Sequence, residues 1–495
     1  MVCVRSPKGF CLFSVALVFL ASKHAAAYLG PGVTQLEQPT PVVSAVLTEQ
    51  IRQDIDRGGN GTIIKEPPNH LLITANKEDI TASDELDLVR AVSSAVSTHP
   101  SIRQATDMLS RSEESIHVAK AGYYPKIQGG LSTEHNNRDF DRYDERTLHR
   151  WTVSASQMLY DFGEVASAVS GAEAARAAAR GRVLLSIDQV SRETSYAFIE
   201  LQRYQALRAI AEDQVTGVAA IADLARERRV KGASTLSDEL QAQSREEAAR
   251  ATLLDMQAQV ERWRHSVLYL TGLDRIETMS TGMPDGFSQA CRGDVPAWGL
   301  LPEVLVAEAE QAVAVAELEE VSAQAWPTIS LEGSAGRAIN ATPRTGSRND
   351  ASVMLNMSMP FYQGGSMQAQ KRAAAHALNA AGAAGNHARL TASQGLLEAQ
   401  SRERGYRQRI ALLAQRINSI QMTRDLYQEQ YLELGTRSLL DLLNAEQEYH
   451  QANLEKTNNE HDMRRMQVDC LYNAGQIRNA LDLNGTVIAG VEVMP

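Results

Sequence analysis

Hydrophobic and polar residues alternate along this chain at two different periods, and the period changes at matching places in its two halves. In Lys126–His135, Ile127, Leu131 and Thr133 alternate with Lys126, Gln128, Ser132 and Glu134. In 151–159, Trp151, Val153, Ala155 and Leu159 alternate with Thr152, Ser154, Ser156 and Met158. The second half repeats the pattern. Ile329, Leu331 and Ala335 face off against Ser330, Glu332 and Ser334, and Val353, Leu355, Met357 and Met359 against Ser352, Asn356 and Ser358. A period of two predicts strands with one apolar and one polar face. About ten residues of it fits a membrane β-barrel, apolar outward and polar inward. An ordinary half-exposed antiparallel sheet produces the same alternation. On the barrel reading, Lys126, Glu134 and Glu332 line a wet lumen. Aromatic residues at the strand ends (Tyr123, Tyr124, Trp151, Tyr160, Trp326, Phe361, Tyr362) suit a membrane interface.

After each strand pair the pattern becomes helical. No proline occurs between Pro125 and Pro284 or between Pro360 and Pro495, and Ala, Glu, Gln, Arg and Leu dominate both runs. Residues 163–230 and 366–434 would each make a helix ~100 Å long at about 1.5 Å per residue, too long for a compact domain. Shorter helices over 84–122 and 302–325 precede the strands, each stopped by an aromatic-proline pair.

The two halves align residue by residue. Pro125 and Pro327 stand 202 apart, as do Leu159-Tyr160-Asp161-Phe162-Gly163 and Phe361-Tyr362-Gln363-Gly364-Gly365. Gly232-Ala233-Ser234-Thr235-Leu236-Ser237-Asp238 and Gly435-Thr436-Arg437-Ser438-Leu439-Leu440-Asp441 stand 203 apart. The chain therefore divides into a leader (1–27), an irregular N-terminal extension rich in proline and glycine (28–82), repeat 1 (83–277), a linker (278–297), repeat 2 (298–483) and a tail (484–495), which is expected to be loose. In each repeat a helix, two strands, a long helix, a glycine turn at Gly232 or Gly435 and a returning helix follow in order. Two repeats supply four strands, and about eight is the smallest number that closes a barrel. A barrel thus requires several copies, and three copies give twelve strands with room for a lumen.

Charge and cysteines narrow the setting. Arg5 and Lys8, the apolar run 10–21 and Ala25-Ala26-Ala27 have the layout of a removable export signal. Its removal leaves 46 basic against 60 acidic residues, a balance of −14 that excludes a nucleic-acid partner. No later stretch approaches the roughly 18 apolar residues of a membrane-spanning helix, so a membrane would be crossed with strands. Cys291 and Cys470 survive cleavage and could pair in an oxidising envelope.

These pieces resemble the TolC family of outer-membrane export channels. The resemblance covers roughly 84–482 and is carried by Ala121-Gly122-Tyr123-Tyr124-Pro125, by Gln157-Met158-Leu159-Tyr160-Asp161-Phe162-Gly163, and by Leu434-Gly435-Thr436-Arg437-Ser438-Leu439-Leu440-Asp441 continued by Leu442-Leu443-Asn444-Ala445. It implies an α+β membrane protein: a homotrimer with a twelve-stranded β-barrel in outer-membrane lipid, continued by a twelve-helix tunnel in the periplasm. The implied partners are a periplasmic adaptor protein and an inner-membrane transporter, ABC-type or proton-driven. The Tyr-Tyr-Pro and Leu-Tyr-Asp-Phe-Gly wording is closest to members serving type I protein secretion, ahead of multidrug efflux. The resemblance also implies a periplasmic gate at the hairpin tips. Asp441 falls on a carboxylate ring that constricts the pore, and Asn444 on a second ring position. Arg437 falls on an arginine that holds the gate shut, with Ser237 and Asp238 as its partners on the other hairpin. Read from position alone, Asp238 and Asp441 are helix-start carboxylates that favour the helix dipole.

No catalytic constellation emerges. The sequence has no phosphate-binding glycine loop, paired-histidine motif or nucleophile elbow, and His99, His117, His135 and His149 share no ligand spacing. Neither an enzyme, a cofactor nor a metal is expected. The competing reading is a non-channel periplasmic structural protein, such as an adaptor or coiled-coil scaffold. That reading has the mature protein staying in a soluble periplasmic extract.

Overall fold

The computed structural model describes residues 85–135, 137, 146–293, 295–340 and 347–493. The leader (1–27), the N-terminal extension (28–82) and the first residues of repeat 1 lie outside the described residues. Repeat 1 contains α1 (Leu88–Thr98), α2 (Pro100–Lys120), β1 (Lys126–His135), β2 (Thr147–Tyr160), α3 (Glu164–Val230) and α4 (Leu236–Thr271). Repeat 2 contains α5 (Pro302–Ala323), β3 (Thr328–Ala338), β4 (Asn349–Ser358), α6 (Ser366–Glu429) and α7 (Leu439–Ala474). A short helix α8 (Ile477–Ala480) and a hairpin of β5 (Val487–Ile488) and β6 (Val491–Glu492) follow.

The single helix expected over 84–122 is two. His99 is extended (ψ 129°) ahead of Pro100, which sits in the first turn of α2. Proline disfavours a helical residue before it, so the chain breaks there and restarts. The expected loose tail is also corrected. Ile488, Val491 and Val493 are buried in one cluster with Leu88, Phe198 and Ile477, so apolar burial fixes the C-terminal hairpin.

The four long strands form one antiparallel sheet in the order β1-β2-β3-β4. Its register aligns the apolar positions of neighbouring strands: Leu131 opposes Trp151, Ile127 opposes Ala155, Leu331 opposes Leu355 and Ile329 opposes Met357. The polar positions align on the other face, where Ser154, Ser334 and Ser352 stand in one row and Ser156 and Glu332 in the next. Near the end of β2 the register shifts between Met158 and Tyr160, and Tyr160 opposes Ile329. The bulge thus puts Tyr160, in place of Leu159, on the apolar face. Among the described residues no helix covers that face: Ile127, Leu131, Val353 and Leu355 are each at least 67% exposed. β1 and β4 are unpaired edges among the described residues.

At the strand-to-helix corner, Asp161 caps α3 by accepting from Val165 N (2.6 Å) and Gly163 N (3.1 Å). Phe162 there holds φ +55°, and the equivalent position in repeat 2 is Gly364 (φ +63°). A glycine adopts this conformation freely. Phe162 is held in it between Tyr160 (ring centroids 4.7 Å) and Trp326 (5.6 Å).

The helices build the rod. α3 has 67 residues and α6 has 64, roughly 100 Å each. α3 and α4 pack as one hairpin and α6 and α7 as the other, with α3 against α7 joining them. The second long helix carries one residue more between its corner glycine and its turn, the source of the shift from 202 to 203. That residue is absorbed by a π-turn at Gln430–Leu434.

A waist lies midway along the rod. Its core joins Leu88 and Val92 of α1, Ile187 and Phe198 of α3, Phe287 of the linker and Ile477 of α8. The linker is docked there: Leu86 N donates to Thr278 O (3.0 Å), Ser280 N to Leu86 O (2.9 Å) and Ala297 N to Ala474 O (3.1 Å). A disulfide joins Cys291 of the linker to Cys470 of α7, with Cα atoms 5.2 Å apart.

Candidate functional site: the hairpin tips

Both hairpins turn on a left-handed glycine, Gly232 (φ +75°) and Gly435 (φ +63°). Each is followed by a capping box, because Thr-x-x-Asp and Ser-x-x-Asp let side chain and backbone satisfy each other. Asp238 N donates to Thr235 Oγ1 (3.2 Å) while Asp238 Oδ2 accepts from Thr235 N (3.1 Å) and Ser234 Oγ (2.8 Å). The Ser234 bond, then the Thr235 amide, hold the Asp238 carboxyl below its usual range. In hairpin 2, Asp441 N donates to Ser438 Oγ (3.2 Å), and Asp441 Oδ2 accepts from Ser438 Oγ (2.9 Å).

Arg437 turns back onto its own hairpin. Its Nε donates to Gln430 Oε1 (3.1 Å), its guanidinium lies 4.4 Å from the Tyr427 ring centroid, and Nη1 is 3.9 Å from Asp441. Within one chain, then, it is bonded neither to Ser237 nor to Asp238, and Ser237 is exposed. Asp441 and Asn444 lie three residues apart on α7, hence on one face, with Asn444 exposed.

The contacts that cross between hairpins involve residues the sequence did not single out. Arg228, at the end of α3, places its guanidinium 4.7 Å from the ring centroid of Tyr431 and donates Nη1 to the Tyr431 carbonyl (3.4 Å). Tyr431 belongs to the π-turn and is buried with Val218, Ile221, Leu439, Leu442 and Leu443. Higher up, Glu446 accepts from His450 Nε2 (2.9 Å) and faces Arg424 of α6 (3.6 Å). A Cβ on Gly217 of α3 would stand 2.3 Å from Glu446 Oε1, so a larger residue there would require this carboxylate to shift. Within hairpin 1, Glu239 is gripped by Arg226 (3.4 Å) and Arg229. Arg228 and Tyr431, and Gly217 and Glu446, are more than 200 residues apart in sequence; the one available signal was the extra residue that produces the π-turn.

Among the described residues no group of three or more His, Cys, Asp or Glu could hold a metal ion, and no helix is long and apolar enough to cross a membrane. The membrane-competent element is the exposed apolar face of the sheet, with a polar face behind it. There Glu332 accepts from Asn356 Nδ2 (3.2 Å) and Arg150 faces Asp350 (3.7 Å).

A four-stranded sheet with an apolar outer face, continued by two glycine-tipped helical hairpins, is the fold of an outer-membrane channel that extends into the periplasm. The model of the family "Outer membrane efflux protein" matches residues 91–273 and 300–470, and the chain belongs to that family. It is 24% identical over 356 residues to the outer membrane efflux protein BepC of Brucella suis, covering 71% of this chain and 77% of that one. It is similar in structure to the outer membrane protein VceC of Vibrio cholerae (TM-score 0.67, 17% identity, 78% of this chain and 96% of that one). It is equally similar to the CmeC outer membrane channel of Campylobacter jejuni (TM-score 0.68, 14% identity, 79% and 86%). The chain is an outer-membrane protein whose helices form a periplasmic tunnel.

Proposed function

We propose that three copies of this chain form the passive exit duct of a tripartite export system, serving type I protein secretion. The sheet carries this reading: its apolar face is open, its two edges are unpaired, and four strands need partners to close. β4 runs antiparallel to β1 when one copy follows another around a ring, so the edges can pair and remove the exposed backbone. Three copies bring the strand count to twelve. The adaptor and the energised inner-membrane transporter, ABC-type or proton-driven, supply docking and work that a duct lacks. Secretion is favoured over drug efflux by the corner motifs Tyr123-Tyr124-Pro125 and Leu159-Tyr160-Asp161-Phe162-Gly163.

On this reading the tips are the periplasmic gate. Asp441, with Asn444 one turn on, supplies a carboxylate ring when three copies meet. Arg437 then has the Ser237–Asp238 turn of a neighbouring copy as its reach, beyond the self-contacts it makes within one chain. A charge-assisted grip there is worth about 0–1 kcal/mol per exposed pair, weak enough for a docking partner to undo. Planar-bilayer recording tests it: replacing Arg437 or Asp238 raises single-channel conductance, and neutralising Asp441 weakens block by trivalent cations. Unchanged conductance in both of the first two would remove the lock. A protein recovered wholly in soluble periplasmic extract would remove the duct.

A further inference from the structure

The order in which the helices pack leaves two free edges on each chain. In the strand-proximal half the order is α2, α3, α5, α6, and in the tip-proximal half it is α4, α3, α7, α6. One edge is therefore α2 continued by α4, below the unpaired strand β1. The other is α6 along its whole length, below the unpaired strand β4.

Both edges carry large apolar side chains that no described residue of the chain covers. On α4 these are Leu236 (59% exposed), Leu240 (56%), Leu254 (67%) and Tyr269 (83%). On α6 they are Leu426 (52%), Met422 (67%), Leu412 (65%), Leu397 (62%) and Leu390 (64%). Counting away from the tip, Leu240, Leu254 and Tyr269 stand 14 and then 15 residues apart, and so do Leu426, Leu412 and Leu397. Four helical turns take about 14.4 residues, so each set forms one stripe on one helix face.

The two stripes also stand at the same heights. Arg424 and Arg416 of α6 face Glu446 (3.6 Å) and Glu455 (3.3 Å) of α7, and Gly395 lies against Asn473. The repeat spacing places those three α7 residues level with Gln243, Thr252 and Leu270 of α4. Arg245 of α4 donates to Gln447 of α7 (2.6 Å), which ties the two helices together at that spacing. By these marks Leu426, Leu412 and Leu397 come within about half a turn of the heights of Leu240, Leu254 and Tyr269. The match of heights comes from contacts inside the chain, and the match of stripes from side-chain identity. The two are independent.

We infer that α6 of one copy packs antiparallel on α4 of the next, pairing Leu426 with Leu240, Leu412 with Leu254 and Leu397 with Tyr269. The occupant of this face is a second copy of the same chain. Rotation about the rod axis keeps α4 running away from the tips and α6 running toward them, and it joins β4 to β1 on the same side. The seam continues the sheet closure down the tunnel and removes six large apolar groups from water. This inference rests on the three-copy reading.

Cysteine pairing in intact outer membranes tests the register. Leu254→Cys with Leu412→Cys, and separately Leu240→Cys with Leu426→Cys, should give a covalent trimer after mild oxidation, resolved in SDS without reductant. The four single variants and the parent, whose Cys291 and Cys470 pair with each other, should remain monomer under those conditions. Leu254→Cys with Leu426→Cys is out of step by 14 residues, roughly 20 Å, and should not cross-link. Cross-linking of this mismatched pair without the matched ones overturns the register. If no pair cross-links while an amine-reactive reagent still yields trimer, the seam is wrong and the trimer stands. If that reagent yields only monomer, the three-copy reading fails and takes the seam with it.

Discussion

The waist and the tips fasten the same two hairpins by opposite means. At the waist, charged groups are taken out of water. Arg478 and Asp188 pair at 2.7 Å with both side chains almost fully buried, and Arg478 also donates to Leu300 O. Arg203 joins Glu200 (3.3 Å) and Asp462 (2.5 Å), Arg465 reaches the same Glu200, and Arg192 meets Asp469 beside Tyr196. At the tips, the capping boxes, Arg437 and the Glu239 pairs stand in or near solvent. Breaking a buried pair strands a charge, whereas water takes up the groups of a broken tip contact. Rearrangement is cheap only at the tips, which is where a gate has to move.

The largest expected effect comes from stranding Asp188. Burial pushes its carboxyl up to about 7 although Arg478 favours the charged form, and Glu303 adds to the rise. The folded chain therefore keeps a proton there that an unfolded carboxylate has released. That contribution to stability is complete below pH ~4 and is lost as pH rises through about 7. Arg478→Met should cost about 3–5 kcal/mol at pH 8, read from the thermal loss of helical circular dichroism in detergent. The loss should shrink at pH 5, where Asp188 is protonated. An equal loss at both pH values would show that Asp188 carries no charge problem. His461 behaves in the opposite sense. Burial lowers it to about 4 against its bond to the Thr457 carbonyl, which raises it, so its contribution is present above pH 6.5 and disappears as pH falls toward 4. His461→Gln should thus raise stability at pH 4.5 relative to the parent, on the order of 2 kcal/mol, and leave it unchanged at pH 7. A variant that is no more stable in acid would contradict a buried neutral imidazole.

The waist and the tips were also unequally legible in the sequence. Periodicity, proline gaps and glycine turns located the strands and the two long helices, because each of these signals is local. The break at His99 and Pro100 was there to be read, since a proline restricts the residue before it, but the helical run on both sides masked it. The C-terminal hairpin was not legible: what orders it is burial of Ile488, Val491 and Val493 against helices that begin hundreds of residues earlier. At the tips, the motif gave Asp238, Arg437 and Asp441, and the structure puts both carboxylates in capping boxes. It did not give Tyr431 or Arg228, whose meeting depends on a π-turn and on helix packing. The shift of one residue between the repeats was the trace of that turn in the sequence.

Three tip variants sharpen the contrast. The Tyr431 hydroxyl is buried without a hydrogen-bond partner, while the ring lies under Arg228. Tyr431→Phe should therefore leave stability and conductance near the parent, since it removes an unsatisfied group and keeps the ring. Tyr431→Leu removes the cation–π contact and part of the packing, should cost about 1–2 kcal/mol, and should raise conductance. Equal behaviour of the two would mean that the ring is filler. The smallest effect belongs to Glu239→Gln. Arg226 and Arg229, its partners, are 53% and 41% exposed, and solvent reduces such pairs to under about 1 kcal/mol. The variant should shift the melting midpoint slightly, and raised salt should erase the difference from the parent. Both of its partners lie on α3 of the same hairpin, so conductance should change less than in Tyr431→Leu. A larger change would mean that closure depends on stapling hairpin 1 rather than on the aromatic link between hairpins, and the tips would then resemble the waist.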